Sequence, residues 1–116
     1  MFQPTYAQRT FSPSERRDNA RRPCGHVAFC RAHQPRDDMF WTARARDIST
    51  SGIRLILGHR FEPGTMLAVE LLSADQNTAR EIAARVVHAK AELGSGWSHG
   101  CEFANRLSET ELAALL

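Results

Sequence analysis

Two short islands in the sequence carry polar groups at spacings suited to an anionic ligand: ERRDNARR at 15–22 and DISTSG at 47–52. In the first, Arg17 and Arg21 are four apart. On one helical turn they share a face and can close on a phosphate from two directions. A guanidinium can also donate two hydrogen bonds to guanine O6 and N7, or stack on the base. In the second island the Asp47 carboxylate can accept from the N–H groups on guanine's Watson–Crick edge, and Ser49 can donate or accept. Gly52 has no side chain and so permits positive φ or a close approach of backbone to ligand. Together these groups describe a pocket for a phosphorylated, guanine-like molecule. They also have plainer uses: arginine-rich segments are commonly solvated, and Asp47 and Ser49 can bond their own backbone as Asx or ST turns. The order and separation of the islands in one small β-rich chain favour the binding reading. Arg22 and Arg54 can also face such a ligand, but no motif requires them.

The elements that must position these residues are short. Residues 1–14 are polar, contain Pro4 and Pro13, and read as a flexible lead-in. Pro23 should end any helical turn of the basic segment at about Arg22. Val27 and Phe29 alternate with polar or small neighbours, which predicts a half-buried strand across roughly 25–32. QPRDD at 34–38 reads as a turn. Trp41, Ala43 and Ala45 alternate with Thr42, Arg44 and Arg46, a strand running straight into DISTSG. Ile53, Leu55 and Leu57 open the next strand, Pro63 and Gly64 mark a turn, and Leu67, Val69 and Leu71 follow, which together suggest a meander. Trp41 and Trp97 are in phase with small or apolar strand positions and read as core residues rather than stacking platforms.

The stretch 78–93 is ambiguous. Ile82, Val86, Ala89 and Leu93 fit a helical stripe, whereas Ile82, Ala84 and Val86 fit a strand. Its alanines favour helix. The alternation of Trp97, His99, Cys101 and Phe103 after the GSG at 94–96 supplies a hairpin partner, and this decides for strand. Ser108 and Glu111 form a capping box ahead of Leu112, Leu115 and Leu116, so a short helix ends the chain. Several short strands and one helix predict a small β-barrel, which also removes exposed sheet edges.

Composition narrows the class. At 116 residues the chain has the length of one domain. No apolar run reaches the roughly 18 residues of a membrane span, and the N-terminus has no secretory h-region, so a cytoplasmic protein is expected. The net charge of +2 hides an asymmetry: residues 1–46 carry +5 and residues 47–116 carry −3, which suggests an anionic partner for the first half. Cys24, Cys30 and Cys101 fit no zinc spacing and read as packed, reduced thiols, and the scattered histidines form no metal motif. No nucleophile–base pair or paired catalytic carboxylates are evident, so an enzyme is not expected.

RxxxR at Arg17 and Arg21 followed by DISTSG resembles the PilZ domain family, whose hallmark is RxxxR and then, after a strand pair, [DN]-x-S-x-x-G. GIRLIL after the second motif, and HGCEF followed by LSETELAALL, are also similar to PilZ sequences. The resemblance covers about residues 15–116. It implies a six-stranded antiparallel β-barrel with a short C-terminal helix that binds cyclic di-GMP, a bacterial second messenger. It implies that Arg17 and Arg21 hold phosphates and guanine, while Asp47, Ser49 and Gly52 meet the other guanine edge. Arg16 is a secondary candidate, because in similar domains an Arg there accompanies a stacked ligand dimer; its plain alternative is a solvated charge. The expected function is therefore a non-catalytic receptor whose RxxxR segment orders over the barrel when ligand arrives. It would act through a protein effector or as a homodimer, with no membrane, DNA or RNA partner. The competing reading is a PilZ-like protein-interaction module that no longer binds ligand.

Overall fold

The computed structural model describes residues 20–32, 39–72 and 79–116. The lead-in at 1–14, Arg16, Arg17 and the 34–38 turn lie outside these residues. Among the described residues seven strands and one helix follow in chain order: β1 (Arg22–Pro23), β2 (Val27–Ala32), β3 (Trp41–Ile48), β4 (Gly52–Leu57), β5 (Met66–Leu72), β6 (Ala79–Ala91), β7 (Trp97–Phe103) and α1 (Glu109–Leu115). All pairings are antiparallel. Strands β3, β2, β5, β6, β7 and β4 pair in that order, and β4 pairs back on β3, closing a six-stranded barrel with β1 as an extra short strand on β3.

Alternation sets the core. Ala43, Ala45 and Ile48 of β3, Ile53, Leu55 and Leu57 of β4, Leu67, Val69 and Leu71 of β5, and Ile82, Ala84 and Val86 of β6 all point inward and are buried. The ambiguous 78–93 stretch is a strand across Ala79–Ala91, because it finds ladder partners on both sides, in β5 and β7. The glycines of its turn to β7 take the left-handed conformation, Gly94 at φ 98° and Gly96 at φ 90°.

The expected meander breaks between β4 and β5, although β2, β3 and β4 pair in succession, as do β5, β6 and β7. Strand β4 does not pair with β5: it pairs with β3 and β7, while β5 pairs with β2 and β6. Closure of the barrel places β4 and β5 on opposite sides, so residues 58–65 must cross its end. Phe61, 6% exposed, makes that crossing apolar, and its backbone N–H donates to His99 Nε2 at 3.0 Å. His59 stacks on Trp41 at 4.4 Å beside it. Trp41 is half-buried against the core as expected. Trp97 lies outside the buried core, because it starts β7 at the barrel rim, where the Arg60 guanidinium covers its ring at 5.5 Å.

The opposite end holds the β3–β4 turn and α1. The capping box is complete: Glu111 N–H donates to Ser108 Oγ at 3.0 Å, and Ser108 N–H to Glu111 Oε1 at 2.8 Å. The Ser108 amide, and then the Arg80 guanidinium paired with Glu111, hold this carboxyl below its usual range. Leu112 and Leu115 seat the helix on the core. No helix among the described residues is long and apolar enough to cross a membrane.

Candidate ligand-binding site

Strand β3 brings the two islands together. It pairs with β2 through Val27↔Arg44 to Cys30↔Trp41, and with β1 through Pro23↔Asp47 and Arg22↔Ile48. Between these ladders Cys24 N–H donates to the Arg46 carbonyl, and Ala45 N–H to the His26 carbonyl, both at 2.9 Å. The chain from 22 to 32 therefore follows β3 along its length. Pro23, which lacks an N–H, sits at the edge where none is needed. As a result Arg21 arrives beside Asp47, 26 residues away in sequence.

Arg21 Nη1 donates to Asp47 Oδ1 at 3.0 Å. Arg54 approaches the same carboxylate from β4, its Nε 3.7 Å from Oδ2, too far for a hydrogen bond. Asp47 thus lies between two guanidinium groups and bonds one of them. Arg22 turns the other way and pairs with Glu109 of α1 at 3.3 Å. Arg46 pairs with Glu92 at 2.7 Å.

Ser49 is 1% exposed. Its hydroxyl oxygen accepts from the N–H groups of Ser51 and Gly52, each at 3.2 Å, and its own N–H donates to the Gly52 carbonyl at 2.9 Å. This is the ST-turn use of the residue: Ser49 shapes the β3–β4 turn from within. Gly52 has ordinary negative-φ backbone, and its close approach is to protein. A Cβ there would stand 2.2 Å from the Cys101 carbonyl oxygen of β7. The bare backbone at Gly52 lets β4 and β7 pair tightly beneath the site.

A groove of about 210 Å³ opens beside this turn, lined by Arg21, Ser51, Gly52, His88, Gly100 and Glu102 among others. Four outward residues form one row across the barrel wall, since Asp47 pairs with Arg54, Arg54 with Gly100, and Gly100 with His88. His88 and Gly100 were not singled out from the sequence. A signal for them exists: strict alternation from Ile82, Ala84 and Val86 would put His88 inside the core, a poor place for a polar ring. The strand avoids this with a β-bulge between Val86 and His88. Among the described residues no group of three His, Cys, Asp or Glu is placed to hold a metal ion.

A family model for the PilZ domain matches residues 15–116. The chain belongs to the PilZ domain family. Solved structures agree in fold. The PilZ domain of YcgR from Escherichia coli with c-di-GMP superposes at a TM-score of 0.62 with 17% identity, covering 86% of each chain. The Bacillus subtilis inhibitor of motility, MotI/DgrA, gives a TM-score of 0.65 with 20% identity over 86% of this PilZ chain; this chain spans about half of that protein, 48%. No curated protein matches the chain.

Proposed function

We propose that this PilZ domain is a receptor for cyclic di-GMP, with Arg17, Arg21, Asp47, Ser49 and Gly52 forming its site and Arg16 serving a second, stacked ligand. One observation carries the reading: Arg21 and Asp47, from separate segments, meet at 3.0 Å on the rim of a groove bounded by the β3–β4 turn. A guanine nucleotide has a complementary group for each partner. Its phosphate takes the Arg21 guanidinium, and the N–H groups of a guanine edge take the Asp47 carboxylate. The exchange leaves both charges partnered, so ligand binding does not strand either in a desolvated site. Ser49 and Gly52 contribute through the turn and the strand approach that hold Asp47 in place. The PilZ domain of YcgR has a structure with c-di-GMP, which is the comparison that favours this ligand.

In this reading the ligand is bound and not transformed, and the Arg16–Arg21 segment orders over the barrel as its arginines gain charge-assisted bonds. The signal passes to a protein effector or through a homodimer in the bacterial cytoplasm. Titration calorimetry with cyclic di-GMP tests the assignment. The wild type should release heat, Arg17→Ala/Arg21→Ala should weaken binding at least about a hundredfold as two charge-assisted contacts are lost, and the stoichiometry reports one or two ligands. No heat from the wild type, or undiminished affinity in the double variant, overturns the assignment. A protein partner captured equally with and without cyclic di-GMP would instead point to an interaction module.

A further inference from the structure

We infer that the Arg46–Glu92 ion pair is a positioning tie of the ligand site, holding the β6–β7 hairpin against the strand that carries Asp47 and so fixing the far wall of the groove. The inference rests on the receptor reading above and deepens it.

Arg46 owes its direction to a β-bulge. Arg44 pairs with Ile56, Ala45 with Leu55 and Asp47 with Arg54, so Arg46 is the extra residue of β3. Ala45 and Ile48 are buried on either side, while Arg46 and Asp47 both stay out of the core. Strict alternation would have sent one of the two inward. The Arg46 carbonyl accepts from Cys24 N–H at 2.9 Å, which fixes the chain three residues beyond Arg21. One residue therefore joins three parts of the site. Its carbonyl holds the segment that delivers Arg21, its chain neighbour is the Asp47 carboxylate, and its guanidinium donates to Glu92 Oε1 at 2.7 Å.

That last contact spans the barrel wall. Glu92 follows the end of β6, and β7 and β4 lie between β6 and β3 in the sheet. Three strand spacings amount to about 14 Å, a distance the two side chains close only with the hairpin end leaning over β7 and β4. Ser98 bears the mark of this cover. It faces outward between the inward Trp97 and His99, in one row with Ile56 and Lys90, yet is 1% exposed. The Glu92 side chain is itself only 17% exposed, so the pair is partly withdrawn from water.

The hairpin needs a tie because β6 outruns its other neighbour. Pairing with β5 ends at Met66↔Arg85, and the last bonds on that side join Val86 to Gly64 and Thr65. Among the described residues nothing pairs with β6 on that side beyond Val86. The next two residues, Val87 and His88, line the groove. They sit at a second bulge, on a strand held by β7 alone. The Arg46–Glu92 pair connects the end of that strand to the bulge beside Asp47, so the two walls of the groove keep their spacing.

The sign of the effect separates a tie from simple electrostatics. Cyclic di-GMP is an anion, and if Glu92 acted only as a charge, its removal would strengthen binding and release Arg46 for a phosphate. A positioning tie predicts the opposite. In titration calorimetry with cyclic di-GMP, Glu92→Ala should bind about fivefold more weakly, the worth of a well-formed ion pair outside the core. Glu92→Gln, which can still accept from Arg46, should recover most of that loss. Arg46→Ala/Glu92→Ala should bind no more weakly than Arg46→Ala, because the first substitution already breaks the tie. Glu81→Ala, which removes the acid paired with Arg31 at 3.6 Å, controls for surface charge and should stay within about twofold of the wild type. In the ligand-free protein, amide hydrogen exchange at Val87 and His88 should quicken in Glu92→Ala, a readout independent of the ligand. Normal wild-type binding with equal or tighter affinity in Glu92→Ala, or unchanged exchange at Val87 and His88, overturns the tie alone. A wild type that takes up no cyclic di-GMP overturns the receptor reading and the tie's part in binding with it.

Discussion

Gly52 shows how a bare backbone position can shape a candidate site through packing. Its missing Cβ would fall 2.2 Å from a backbone carbonyl oxygen of β7, and backbone cannot swing aside as a side chain can. Gly52→Ala must push β4 away from β7 across the Gly52↔Glu102 pair, next to the turn that holds Asp47. Overpacking of this kind costs about 1–3 kcal/mol, and the ladder strain here belongs at the upper end. Gly58 is a control, because a Cβ there has nothing within 4 Å. Urea denaturation of the ligand-free protein should therefore give a markedly lower midpoint for Gly52→Ala and a near-wild-type midpoint for Gly58→Ala. Equal midpoints would contradict the close-approach argument. The same reasoning warns that a binding defect in Gly52→Ala reports first on the barrel and only through it on the ligand.

At the scale of elements, α1 depends on its first turn. Seven residues are too few for a helix to persist on propensity, so the capping box and the burial of Leu112 and Leu115 hold it. Ser108→Ala should cost about 1 kcal/mol and Leu112→Ala about 2–5 kcal/mol, read as lower thermal midpoints; a Ser108→Ala protein as stable as the wild type would mean the cap is idle. This element was legible from Ser108 and Glu111 because a capping box is local. The β3–β4 turn was legible for the same reason, and with it Asp47, Ser49 and Gly52. What escaped the sequence depends on pairing between distant segments. The pairing of β4 with β7 in place of β5 follows from barrel closure, which no window of residues contains. The hydroxyl of Ser49 looks alike in sequence whether it faces a ligand or, as found, bonds the amides of Ser51 and Gly52. His88 and Gly100 become neighbours only through the bulge that slips β6 against β7 by one residue.

The barrel as a whole encloses ionisable groups that must stay neutral, and this sets a stability window in pH. His99 is fully buried, and its Nε2 accepts from Phe61 N–H, so the ring must carry its proton on Nδ1. Burial, with smaller contributions from His59 and Arg60, lowers its pKa below 6.5, against a partial opposing effect from the carbonyls of Leu55 and Trp97. The unfolded chain therefore binds this proton first as pH falls below 6.5, and folding stability declines by up to about 1.4 kcal/mol per pH unit until the folded ring protonates. Cys30 and Cys101 act at the other limit. Burial pushes each thiol from 9.0 to about 12, with the neighbouring Cys101 adding to the shift of Cys30 and Arg21 opposing that of Cys101. Above pH 9 the unfolded thiols ionise while the folded ones stay protonated, so stability falls again, by roughly the same amount per unit for each thiol. Urea unfolding under reducing conditions should show greatest stability between about pH 7 and 9, with losses at pH 5 and pH 10.5. Cys30→Ala should start from lower stability at pH 8 because of its cavity, yet lose less between pH 8 and 10.5 than the wild type does. An equal alkaline loss in the two proteins would show that ionisation of the Cys30 thiol on unfolding is not the source of that loss.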